Sequence, residues 1–268
     1  MFSVLDMFTI GVGPSSSHTV GPMCAAQAFA SSLEESGAVS RVGRIRVVLY
    51  GSLSLTGLGH GTDRAILAGL EGNVPATVDT DYLLSVRERC AHDGTIHVNG
   101  TNAIAYDDDG DMVFDRWKRL APHPNGMRFQ AFDAQGNIID EQVWYSIGGG
   151  FIRRGRIDDA LISNHEQTPA SSQSPEDSGN DEAAEYGDGV PYPFVSCDGL
   201  IDLCRKHHLS IADVVWANET ARRSPQEVRD RLTRIWNVMS HCIDAGCASA
   251  TPTLPGGLDV PRLSLIHI

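Results

Sequence analysis

Small and apolar residues fall on one face of Met23–Glu35 (MCAAQAFASSLEE), and Ser36-Gly37 closes the run, which predicts a helix. Arg44–Ser52 (RIRVVLYGS) is rich in β-branched residues and partly alternating, the pattern of a strand. Gly57–Gly61 (GLGHG) reads as a flexible turn, after which Thr62 is expected to cap a helix through Leu70 that Gly72 and Pro75 close. Asp79–Arg89 predicts another helix and Val113-Phe114 a weak strand. Met127–Phe132 and Ile138–Ile147 flank Ala134-Gln135-Gly136-Asn137 as the two strands of a hairpin. Gly148-Gly149-Gly150 ends the second strand and lets the backbone bend sharply.

His165–Gly189 breaks the pattern. It is rich in Glu, Asp, Ser, Gln and Pro with almost nothing apolar to bury, which predicts a disordered linker. Pro191-Tyr192-Pro193-Phe194 restarts structure, and Cys197–His207, Ser210–Glu219 and Ser224–Cys247 predict three helices. In the last of these, Ser224-Pro225-Gln226-Glu227 supplies an N-cap, a first-turn Pro and a Glu at the capping-box position. The expected fold is α+β: a mixed α/β domain over 1–160, an acidic linker over 161–189 and an all-helical segment over 190–262. Residues 263–268 (LSLIHI) correspond codon for codon to the adapter end of transposon-based sequencing libraries, so a non-native tail is expected after Arg262.

Charge narrows the partners. A net charge of −13 over 268 residues disfavours nucleic acid and anionic membrane, although six acids and no base in Glu176–Asp188 supply much of it. No run approaches the roughly 20 apolar residues of a membrane span. Met1–Ile10 is short and contains Asp6, so it reads as neither signal peptide nor anchor. The six cysteines (24, 90, 197, 204, 242 and 247) form no CxxC pair, and read as free thiols of a cytoplasmic protein, all six expected as buried apolar residues rather than metal ligands.

The chemistry concentrates in Gly11–Met23 (GVGPSSSHTVGPM), where Ser15, Ser16, Ser17, Thr19 and His18 sit between two Gly-Pro pairs ahead of the first helix. A helix N-terminus offers unpaired N–H groups and positive potential that suit a carboxylate or phosphate. Three hydroxyls and an imidazole exceed what capping needs, so an anion site is expected here. Gly51–Gly57 (GSLSLTG) leads into His60 at a strand exit, His123-Pro124-Asn125-Gly126-Met127 precedes a strand, and Tyr145–Phe151 (YSIGGGF) ends one. Each histidine alone is read first as an ordinary surface or core residue. The chain has no GxSxG, GxxxxGK[ST], HExxH or strand-borne GxGxxG motif. A hydrolase pairing Ser16 or Ser17 with His18 is disfavoured, because adjacent side chains rarely meet in nucleophile–base geometry.

Together these segments resemble the iron–sulfur-dependent L-serine dehydratases (L-serine ammonia-lyases) of bacteria. The resemblance runs from FSVLDMF (2–8) through GVGPSSSHTVGPM, YGSLSLTG, GLEGNVPATVD, HPNGM, YSIGGGF and VPYPF to LPGGLDVPR (254–262). It implies a β domain similar to an allosteric substrate-binding domain, followed by a helical catalytic α domain carrying a [4Fe–4S] cluster. It implies elimination of water from L-serine, with one iron as Lewis acid, and hydrolysis of the aminoacrylate to pyruvate and ammonia. Ser15, Ser16, Ser17 and Thr19 would hold the substrate carboxylate at the domain interface. His18, His60 and His123 would be the proton-transfer candidates, and Asn125 an orienting partner.

The family's α domain continues beyond the Val-Pro-Arg segment, and its cluster cysteines lie in that continuation. Cys197, Cys204, Cys242 and Cys247 do not fall on the cluster motifs. The expectation is therefore a β domain plus the first helices of an α domain, binding no cluster and inactive alone. It would work with an α domain or α subunit, as a homo-oligomer when complete. Two alternatives stand beside it: a natural β subunit, or a serine-sensing domain without catalysis that uses the SSSHT segment as effector site.

Overall fold

The computed structural model of the chain describes residues 3–164, 189–253 and 260–261. The chain divides into two compact units, Gly11–Gln167 with Thr251–Ile268, and Met1–Ile10 with Thr168–Ala250. The expected tail, and the expected linker apart from its two ends (161–164 and Gly189), lie outside the described residues.

In the first unit, a π-helical turn over Ser16–Val20 runs directly into α1 (Gly21–Glu35). The stretch read as a turn before a helix at Met23 is thus already helical from Ser16. After α1 come β1 (Arg44–Tyr50), α2 (Gly51–Thr56), a 3₁₀ turn (Leu58–His60), α3 (Thr62–Leu70) and α4 (Thr80–Asp93). Then follow β2 (Thr95–Val98), β3 (Asn102–Ala105), α5 (Asp108–Asp111), β4 (Met112–Asp115), β5 (Lys118–Leu120), β6 (Gly126–Phe132), β7 (Ile138–Gly148), β8 (Phe151–Arg154) and β9 (Leu161–Ser163). The mixed α/β domain read from the sequence is present, with the β6–β7 hairpin in place. The segment 57–61 is an ordered 3₁₀ turn rather than a loose one. The cap of α3 is Gly61 in the left-handed region (φ +66°), not Thr62.

The main sheet runs β2-β3-β1-β6-β7-β8, and β4 also pairs with β1. β1 is central. It pairs in parallel with β3 and β4 and antiparallel with β6 from Arg44↔Phe132 to Leu49↔Met127. Ile45, Val47 and Leu49 join Phe29 and Leu33 of α1, Ile66 and Leu70 of α3 and Phe129 of β6 in one core. The Phe29 and Phe129 rings stack at 5.2 Å. Val48 and Tyr50, on the other face of β1, pack with Leu120, Val143 and Tyr145. Apolar contacts on both faces explain why the later half of β1 is continuously apolar rather than alternating.

In the second unit the described residues after 189 form α6 (Cys197–His207), α7 (Ile211–Thr220) and α8 (Pro225–Ala248). These lie within a residue of their expected positions. Ser224 accepts from the Glu227 N–H as its sequence implied, and a complete capping box forms at Ser210 and Asp213 of α7. Residues 3–10 belong here. The buried Glu219 of α7 accepts from Ser3 Oγ (2.8 Å), Val4 N–H (2.8 Å) and Arg223 (2.7 Å).

Candidate active site

The π turn brings neighbouring side chains together that an ordinary helix would fan apart. Ser15 is extended, and its Oγ accepts from the His18 N–H at 3.1 Å. Its carbonyl accepts from both Thr19 N–H (3.0 Å) and Val20 N–H (3.3 Å), the register that widens the turn. Ser17 Oγ then lies 3.0 Å from Nδ1 of His18 and 3.4 Å from Ser15 Oγ. The adjacent Ser17 and His18 therefore do meet, against the expectation for neighbouring residues. What faces the other ring nitrogen is the Ser52 hydroxyl, 3.0 Å from Nε2, and not the carboxylate that orients a hydrolase histidine. Ser16 is exposed, whereas Ser15, Ser17 and His18 are half-buried.

The 3₁₀ turn delivers His60 to the same place. Its ring centroid is 4.9 Å from that of His18. His60 Nδ1 is 2.9 Å from the Thr56 carbonyl, which can only accept. Nδ1 therefore carries the proton, and in the neutral ring Nε2 holds a lone pair. The backbone of this pair is cross-tied: Thr19 Oγ1 donates to the His60 carbonyl at 2.8 Å, and Thr62 Oγ1 donates to the His18 carbonyl. Burial first, then the charge of His60, pull the His18 pKa below the ordinary imidazole value, and a backbone hydrogen bond with Ser52 partly opposes them.

The His123–Asn125 loop docks on the start of α2. The Ser52 N–H donates to the Pro124 carbonyl at 2.9 Å. Gly51 makes the approach possible, since its φ is +57° and a Cβ there would lie 2.3 Å from the Pro124 oxygen. His123 Nδ1 accepts the Asn125 N–H at 3.1 Å, so the neutral ring presents its proton at Nε2. Burial, then the charge of Arg153, lower its pKa. Asn125 Nδ2 donates to the Ser146 carbonyl at 3.1 Å. Asn125 Oδ1 and Ser146 Oγ are both buried without a hydrogen-bond partner. Ser146 presses on the first residue of α1, where a Cβ on Gly21 would lie 2.1 Å from its Oγ.

Four motifs separated by up to about 130 residues thus come together. Ser15, Ser17, His18 and His60 form one group, and His123 and Asn125 a second, joined to the first through Ser52. Thr19 is turned inward, 1 % exposed, with its hydroxyl on the His60 carbonyl. Ser52 and Ser146 lie inside motifs that the sequence singled out, yet no spacing distinguishes them from Ser54 or other serines nearby.

Among the described residues no three of His, Cys, Asp and Glu are grouped closely enough to hold a metal ion. All six cysteines are free, but only Cys90 is buried as expected: Cys24 and Cys204 are half-buried, and Cys197, Cys242 and Cys247 are exposed on their helices. Burial together with the charge of Glu71 raises the Cys90 thiol to about 12, far from a ligating thiolate. The described residues therefore do not fit an iron–sulfur cluster.

The mixed α/β domain thus gathers hydroxyls, which can hydrogen-bond an anion, and imidazoles, which can take up or release a proton near neutral pH. A family model described as serine dehydratase beta chain matches residues 3–156. The chain belongs to that family. It is 41 % identical over 260 residues to the L-serine dehydratase of Streptomyces coelicolor, covering 97 % of this chain and 52 % of the relative. To L-serine dehydratase 1 of Escherichia coli it is 39 % identical over 266 residues, covering 98 % and 52 %. To the L-serine dehydratase of Mycobacterium bovis it is 38 % identical over 261 residues, covering 97 % and 51 %. The chain thus spans about half the length of the curated relatives it matches.

Proposed function

We propose that the chain is the β-domain part of an L-serine dehydratase, which removes water from L-serine to give pyruvate and ammonia, and that His60 is its general base. The observation carrying this reading is the Nδ1–H bond of His60 to the Thr56 carbonyl, which leaves Nε2 as the one nitrogen able to accept a proton. His18, with its pKa lowered beside it, stays neutral near pH 7 and adds no charge that would repel a proton arriving at His60. His123 presents Nε2–H and acts as a donor in its neutral form, with Asn125 holding its orientation. Ser15, Ser16 and Ser17 supply hydroxyls for the substrate carboxylate. Thr19 supports them indirectly by fixing the His60 backbone.

The described residues do not fit an iron–sulfur cluster. We assign its ligands to an α domain or α subunit outside this chain, and the chain alone to an inactive state. We also assign it to the cytoplasm; among the described residues no helix is long and apolar enough to cross a membrane.

The test joins this chain to the cluster-bearing second half of a relative and follows pyruvate formed from L-serine. The native chain should support turnover, and His60→Ala should lower kcat by at least about a hundredfold, the usual contribution of a positioned base. Unchanged turnover in His60→Ala would remove His60 from the role.

A further inference from the structure

We infer that Ser52 is a positioning residue for His18: its hydroxyl holds the imidazole in one orientation and one tautomer, and its backbone couples that ring to the other two histidine segments. The inference deepens the acid–base reading of the site and rests on it for its functional meaning.

The contacts of Ser52 reach every part of the site. Its Oγ is 3.0 Å from His18 Nε2. Its N–H donates to Pro124, between His123 and Asn125, at 2.9 Å. Its carbonyl accepts from Thr56 Oγ1 at 3.0 Å, and Thr56 in turn accepts from His60 Nδ1 through its own carbonyl. One residue therefore touches the first histidine and the loop bearing the third, and reaches the second through Thr56.

The His18 ring has hydroxyls at both nitrogens, but they are not equivalent. Ser17 rides on the same turn and moves with His18. Ser52 belongs to α2, 34 residues away, and so fixes the ring against a different element. In the chain without substrate, Ser15 Oγ accepts the His18 N–H, and its own proton is available to Ser17 Oγ at 3.4 Å. Ser17 can then donate to Nδ1 at 3.0 Å, which leaves Nε2 protonated and donating to Ser52. In this arrangement Nε2 of His18 is occupied, and Nε2 of His60 is the free acceptor of the facing pair.

The experiment uses the 268-residue chain with ¹⁵N-labelled histidine, without substrate or cluster, and reads each ring tautomer from long-range ¹H–¹⁵N correlations above the histidine titration range. His18 should appear as a single Nε2–H tautomer. Ser52→Ala should shift its tautomer ratio by about fivefold, the size of one ordinary net hydrogen bond, while the Nδ1–H signature of His60 stays in place. Ser52→Thr, which keeps the hydroxyl, should restore the native ratio. His18 signals unchanged by Ser52→Ala would overturn the inference, as would equal disturbance of all three histidines, which marks a purely structural role. Should Ser52→Ala not fold, Ser52→Cys keeps the volume and weakens the acceptor, and its His18 ratio decides in the same way. Because the readout needs no turnover, its failure is distinct from failure of the dehydratase reading, which is decided by pyruvate.

Discussion

The imidazoles of His18 and His60 face each other at 4.9 Å, tilted by 39°. Two rings this close disfavour a shared positive charge. Burial and then His60 lower the His18 pKa in the folded chain. The unfolded chain, with imidazoles near the ordinary value of about 6.5, therefore takes up the proton first as pH falls. The stability contributed by neutral His18 is present above about pH 6.5 and is lost as pH falls through the folded pKa. Urea midpoints should drop between pH 7.5 and 5.5, and His18→Gln should flatten that drop. His123, lowered mainly by burial, acts in the same direction. Parallel pH curves for the native chain and His18→Gln would refute the assignment.

Gly51→Ala should destabilise the first unit by about 2–4 kcal/mol, because the left-handed backbone and the contact with the Pro124 oxygen at 2.3 Å both oppose a Cβ. Gly37→Ala is the control. Gly37 also has positive φ (+68°) but nothing within 4 Å of its Cβ, so that change should cost only about 1–2 kcal/mol. Denaturant titration of both variants separates the two contributions.

Ser146→Ala should leave thermal stability unchanged or raise it. The hydroxyl is buried without a partner, and such a group is commonly worth about 1–3 kcal/mol of desolvation cost. A fall in Tm would show that the hydroxyl is satisfied in solution, for example by an ordered water.

Glu71 joins α3, α4 and β2, just after α3 ends. Its carboxylate accepts from Tyr82 and Arg89 and from the His97 N–H at 2.9 Å. Burial would raise its pKa, but the donors, Arg89 foremost, outweigh burial and hold it below the usual range. Glu71→Ala should cost about 3–5 kcal/mol, as expected when one partner of a buried charged network is removed. The contribution is present above about pH 4.3 and is lost as pH falls through the lower folded value, so acid unfolding of the native chain should be steeper than that of Glu71→Ala.

Incubating the purified chain with iron and sulfide should give no cluster absorbance band and no pyruvate from L-serine. A visible band would show that the chain carries cluster ligands of its own.

Elements with a one-sided pattern or a marked end were legible in the sequence: α1 by its small and apolar face, the β6–β7 hairpin by the turn at 134–137, and the start of α8 by Ser224-Pro225-Gln226-Glu227. β2, β3, β5 and β9 are three or four residues long, too short for a period to register, and their pairing depends on contacts distant in sequence. The π turn is equally silent, because Ser15 accepting from both Thr19 and Val20 is a matter of hydrogen-bond register, not composition. The histidines were legible as residue types on Gly-flanked turns. Their roles were not, since each tautomer depends on how the folded backbone turns a partner onto the ring: the Thr56 carbonyl for His60, the Asn125 N–H for His123, and for His18 both the adjacent Ser17 and Ser52, 34 residues away.

The grip of Glu219 on Ser3 and Val4 has a practical consequence for dissecting the protein. The amino-terminal decapeptide belongs to the helical unit, so a protease nick between 165 and 188 leaves the piece 1–164 still fastened to Glu219 by its leading residues. An expression boundary meant to liberate the sheet-bearing half is better opened at Gly11 than at Met1.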